Sequence, residues 1–144
     1  MSKIKKQPLP EAQAVSPIHK SKKLPDDLIR FSFRHLNFEN EKFNVPAQER
    51  LANYMPQFLE RLRDVSGMRL SEFRANKNRA LRAHTHAWDD TTEPAGFAHL
   101  NEQLQSCEPW QFCLSVNEHG RVHGLLVDDV FYVVWLDPDH KLYN

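Results

Sequence analysis

Two rhythms divide the apolar positions of this chain. Between Leu28 and Arg34 they alternate, with Ile29, Phe31 and Phe33 sharing one parity, which predicts a first strand. From Leu51 the spacing lengthens to three and four residues, through Met55, Phe58, Leu59, Leu62 and Val65, and predicts a helix that buries this face. Asn44 is the candidate N-cap, and Pro46 fits a first helical turn. Pro56 falls inside the pattern, where a proline costs about 3 kcal/mol, so a kink or a break into two helices is expected. Gly67 is a plausible C-cap, and residues 70–76 suit a short second helix.

Alternation returns near the carboxy terminus. Trp110, Phe112, Leu114 and Val116 share a face, residues 117–120 form a turn, and residues 121–127 form the next strand. Asp128-Asp129 closes a tight hairpin onto a strand over 130–136 that is apolar on both parities, as a central strand would be. Strand, helices and then three strands predict an α+β fold: a small, mostly antiparallel four-stranded sheet with helices packed on one face. Residues 77–107 show no clear period and read as a long ordered loop, an uncommon feature that is often functional.

Composition sharpens the division of the chain. Of 144 residues 40% are hydrophobic, enough for one domain with a core, assigned to residues 26–144. No apolar run reaches the roughly 20 residues of a membrane span, which predicts a soluble, cytoplasmic protein without membrane partners. Residues 1–25 hold six lysines against Glu11, net +5, while the remainder carries 13 basic and 18 acidic side chains, net −5. The first segment, with Pro8, Pro10, Pro17 and Pro25, reads as a basic arm, disordered or loosely draped, of the kind nucleic-acid binders use. Cys107 and Cys113 lack the spacing of a disulfide framework or zinc knuckle and read as ordinary thiols.

Candidate chemistry gathers where the last hairpin returns. Arg121 and His123 share a parity at the start of one strand, and His140 and Tyr143 follow the end of the next, so the fold-back brings the two groups together. Such a set suits RNA transesterification without a metal or cofactor. Arginine supplies permanently charged donors for a phosphate, histidine moves protons near neutrality, and tyrosine orients, donates or stacks. Arg79, Arg82, His84 and His86 form a candidate cationic wall for an anionic substrate, joined by Lys141 near the end of the chain. His84 and His86, with Asp89 and Asp90 after them and Asp137, Asp139 and His140 near the end, also admit a divalent metal and a metal-dependent hydrolase, although the spacing matches no specific ligand motif.

The stretch Glu118-His119-Gly120-Arg121-Val122-His123-Gly124-Leu125-Leu126-Val127-Asp128-Asp129, with the terminal His140-Lys141-Leu142-Tyr143, resembles the end of RelE/YoeB-like toxins. In that superfamily of messenger-RNA interferases a His-Arg-hydrophobic-aromatic motif opens a strand before a hairpin, and the last strand ends in His and Tyr. The likeness implies a β-α-(α)-β-β-β fold and a metal-independent endoribonuclease, the toxin of a toxin–antitoxin pair. It further implies that Arg121 binds the scissile phosphate, His140 serves as acid or base and Tyr143 orients the nucleotide. RNA, free or ribosome-associated, and a cognate antitoxin protein would then be the partners. His123 stands where the motif carries an aromatic, and the body is acidic where those toxins are basic. The alternative on the same scaffold is a non-catalytic RNA- or protein-binding regulatory module.

Overall fold

The computed structural model describes residues 27–43, 48–75, 79–115 and 120–143, with side chains from residue 52 onward in the first helix. The basic arm, the Asn44 cap, Pro46 and most of the 117–120 turn lie outside the described residues. Strand β1 (Arg30–Ser32) precedes helix α1 (Gln48–Ser66) and helix α2 (Leu70–Ala75). Strand β2 (His84–Thr85), a 3-10 turn at Trp88–Asp90 and helix α3 (Glu102–Gln105) follow. Strands β3 (Glu108–Cys113), β4 (Arg121–Val127) and β5 (Val130–Asp137) complete the fold.

The class is α+β, as the element order predicted, but the sheet has five strands in the order β1-β5-β4-β3-β2. Strand β1 runs parallel to β5, while the remaining pairs are antiparallel. The additional strand, β2, lies in the segment expected to be a loop. Its signal was faint: Leu81 and Ala83 are buried on either side of exposed Arg82, but Thr85, next on their parity, is exposed and His86 is buried. Backbone bonds from Cys113 N to Leu81 O (2.7 Å) and from His86 N to Pro109 O (3.0 Å) hold its two flanks to β3.

Helix α1 passes through Pro56 without breaking. Pro56 and Ala52 are both exposed, so the carbonyl that loses its amide partner can be hydrated. Tyr54, Phe58 and Val65 face the sheet, whereas Leu59, expected on that face, is 60% exposed. Helices α1 and α2 cover one side of the sheet over Phe112, Val122, Leu126, Phe131 and Val133. The opposite side is covered too, a correction to the single-face arrangement. There Phe43, Phe97, Val134, Trp135 and Leu142 close over Leu125, with Trp88 and Leu104 packed beside them.

A β-bulge divides β5 between the two sides. His123 pairs with Trp135 but Gly124 pairs with Val133, so Val134 is the extra residue. Phe131 and Val133 point at the helices before it; Trp135 and, by alternation, Asp137 point away after it. Gly124 makes the bulge possible, because a Cβ there would lie 2.1 Å from the Tyr132 carbonyl oxygen. Close approach of a neighbouring backbone, one of the roles open to this glycine, is the one it fills.

Candidate functional site

The bulge places a carboxylate where strict alternation would have buried it under the helices. Asp137 instead lies on the same side as His123, whose Nε2 is 2.8 Å from Asp137 Oδ2. Both side chains are completely buried, at 0% exposure. Strand β2 adds the next member: His86 Nε2 is 3.0 Å from His123 Nδ1. His86 Nδ1 in turn lies 2.6 Å from the Tyr143 hydroxyl. Asp137, His123, His86 and Tyr143 thus form one hydrogen-bonded file from the sheet interior to a half-buried phenol.

The turn after β5 delivers that phenol. Asp137 Oδ1 accepts the Lys141 amide at 2.8 Å, and Oδ2 accepts the Leu142 amide at 3.3 Å. Leu142 is fully buried and its carbonyl accepts the Thr92 amide at 2.7 Å, while Thr92 Oγ1 donates to the Lys141 carbonyl. These ties hold His140 in the left-handed region at φ 55°, a conformation that costs a histidine about 1–2 kcal/mol. The same ties bring the His140 ring to 6.0 Å from that of Tyr143. His84 lies on another side, 5.9 Å from Tyr143 between ring centroids.

Electrostatics sets the resting charges of the file. Burial pushes the Asp137 carboxyl up, but the His123 hydrogen bond and the Lys141 and Leu142 amides outweigh it and hold the group below the usual range. Burial lowers His123 despite its carboxylate neighbour. Burial, reinforced by His123 and His84, drives His86 down to about 2. Burial and then the Asp90 carboxylate raise Tyr143. Near neutral pH the file therefore contains one carboxylate, two neutral imidazoles and a protonated phenol.

Of the residues singled out from the sequence, the hairpin does bring Arg121 opposite Asp137. Arg121 is buried, at 7% exposure, and donates from Nη1 to the Gly120 carbonyl. The proposed cationic wall divides. Arg79 and Arg82 are exposed ahead of β2 and His84 is half-buried, but His86 is 8% exposed and uncharged. His86 thus belongs to the file and supplies no positive charge to a wall. Lys141 is exposed and lies 3.7 Å from the Asp139 carboxylate. Both ring nitrogens of His86 are engaged, so His84 and His86 do not offer a pair of open metal ligands. Among the described residues no group of three His, Cys, Asp or Glu side chains is arranged to hold a metal ion.

Sequence reasoning considered Asp137 as a metal ligand but missed its bond to His123, and it missed the union of His86 with His123. A lone carboxylate closing an apolar strand was the available signal for Asp137. The His86 contact depends on β2 pairing, which is nonlocal. No family model matches this chain, and neither the curated proteins nor the solved structures contain a match to it. What the chain offers is an α+β sheet with a buried Asp-His-His-Tyr file opening beside two further imidazoles.

Proposed function

We propose that this protein is a metal-independent endoribonuclease of the RelE-like kind, cleaving RNA by attack of a ribose 2′-hydroxyl on the adjacent phosphorus. The observation that carries this reading is the Tyr143 hydroxyl, 2.6 Å from His86 at the outer end of the file. The His84 and His140 rings beside it supply further groups able to exchange protons. In this reading Tyr143 handles the proton of the attacking hydroxyl and His140 protonates the departing 5′-oxygen. Exposed Arg82 and Lys141 meet the phosphate, and Arg121 contributes its charge from beneath.

The test is incubation of the purified full chain with single-stranded RNA, alone and in a translating extract, in the presence of a chelator. Fragments with 5′-hydroxyl and cyclic or 3′-phosphate ends are expected. Tyr143→Phe and His140→Ala should each slow cleavage by about 10²–10⁴-fold, the usual worth of an acid or base, while the protein still unfolds in one cooperative urea transition. Intact RNA under both conditions would remove the proposal. A binding module on the same scaffold is the second reading, favoured by the burial of Arg121. It predicts RNA that is retarded on a native gel yet uncut.

A further inference from the structure

We infer that Asp137 fixes the direction of every hydrogen bond in the file, and that this makes Tyr143 the general base of the proposed cleavage, with His86, His123 and Asp137 as its positioning residues. The inference rests on the ribonuclease reading for its substrate, and on geometry for its polarity.

Two backbone amides, of Lys141 and Leu142, point at the two oxygens of Asp137. An amide N–H can only donate, and two of them held on one carboxyl stabilise its ionised form, so the group is a carboxylate. The third partner, His123 Nε2 at 2.8 Å, must then carry a hydrogen and donate it. A neutral imidazole has a single N–H, which leaves His123 Nδ1 as a lone pair. His86 Nε2, 3.0 Å away, donates to it, and His86 Nδ1 is left to accept. The Tyr143 hydroxyl at 2.6 Å donates to that nitrogen, turning its oxygen lone pairs toward the approaching substrate. Each link follows from the one before, and the first is set by the backbone.

The proton step balances along this path. The ribose hydroxyl gives its proton to the Tyr143 oxygen as Tyr143 gives its own to His86 Nδ1. His86 passes its Nε2 hydrogen to His123 Nδ1. Tyr143 and His86 end neutral, His123 ends as an imidazolium against the Asp137 carboxylate, and the ribose oxygen forms its bond to phosphorus as the 5′-oxygen departs with a proton from His140. One proton has moved from substrate to His123, with no electron transferred. The carboxylate 2.8 Å away offsets part of the burial that disfavours this imidazolium, which forms only as the proton leaves the substrate.

The tautomers can be read directly by nitrogen-15 NMR of the labelled full chain. His86 and His123 should both be in the Nε2–H form. Asp137→Asn replaces an acceptor by an amide able to donate to His123 Nε2, so both rings should switch to Nδ1–H and Tyr143 should become an acceptor. RNA cleavage by that variant should lose at least about 10²-fold in kcat with KM held, as loss of a base requires. Tyr143→Phe should slow cleavage by about 10²–10⁴-fold yet leave both rings in the Nε2–H form, and it decides the matter if Asp137→Asn does not fold. An Nδ1–H form at either ring of the native protein overturns the inference, as do tautomers that ignore Asp137→Asn. Expected tautomers in a protein that leaves RNA intact would uphold the polarity and sink the nuclease reading instead. Cleavage with the opposite tautomers would do the reverse.

Discussion

The two sides of this sheet differ in what they bury: one is almost wholly apolar, while the other sets a run of polar groups beside an aromatic cluster of its own. Under α1 and α2 the buried contacts are almost entirely aromatic and aliphatic: Phe73, Phe112 and Phe131 meet one another edge-on with centroids 5.1–6.2 Å apart. On the other side the same strands bury His86, Gln111, Arg121, His123 and Asp137. An apolar contact stabilises in proportion to the area it removes from water, whereas a buried polar group costs free energy until every partner is in place. One side therefore tolerates modest repacking. On the other, Asp137, His123 and His86 form with Tyr143 a connected network in which each member depends on the rest. Concentrating such a network on one side, with its outer end half-exposed, is an arrangement suited to chemistry more than to stability.

The strongest way to separate the sides is to damage each in turn. Phe131→Ala removes a fully buried ring from the helix side and should cost about 3–5 kcal/mol, read as a fall in the urea midpoint. It should leave the His86 and His123 resonances in place if the native state still forms. Gly124→Ala strikes the hinge between the sides. Its Cβ would meet the Tyr132 carbonyl, so the bulge must open or shift, and the expected loss is similar in size. Here, however, the two imidazoles should also lose their shared environment. A Gly124→Ala protein of native stability would mean that the bulge does not control where Asp137 points.

Acid separates the sides next. His86 and His123 are held neutral when folded, with pKa values below the ordinary value near 6.5. Above that pH folded and unfolded chains agree in charge, and these groups have no effect. Below it the unfolded chain takes up protons that the folded chain refuses, so stability falls as pH falls. Each imidazole contributes a slope of about 1.4 kcal/mol per pH unit while it stays neutral, and the pair about 2.7. Asp137 acts later, since its lowered carboxyl withdraws stability only as pH drops through and below the ordinary carboxylate range. Urea midpoints at pH 7.5, 6 and 5 should decline accordingly, and His86→Gln should roughly halve the slope. Midpoints that stay level from pH 7 to 5 would contradict the buried, neutral file.

The helix side was the more legible of the two. Its strands and α1 follow from period two and period 3.6 in apolar residues, and Phe58, Val65, Phe112 and Val122 are buried as their spacing requires. On the polar side the local signals were weaker than the pairing that overrides them. His84 and Thr85 carry little strand pattern and become a strand because β3 offers them an edge. Asp137 would fall on the wrong side by strict alternation, and only the bulge opposite Gly124 turns it toward His123. The hairpin around Asp128-Asp129 was readable, and with it the approach of residue 121 to residue 137.

The smallest expected effect tests the edge of the legible side. Leu59 sits in the three-and-four spacing of α1 and would be taken for a core residue, yet Phe58 beside it already fills the face toward the sheet. A helix advances 100° per residue, so Phe58 and Leu59 cannot both point at the centre of the same contact. With Tyr54 and Phe58 stacked at 5.8 Å and Val65 fully buried, the inward stripe runs through 54, 58, 61 and 65. Leu59 falls outside it. Leu59→Lys should therefore change the unfolding free energy from urea titration by less than about 0.5 kcal/mol, as a surface change does. A loss of about 2 kcal/mol or more, the cost of emptying a core site, would place Leu59 in a contact with another part of the chain.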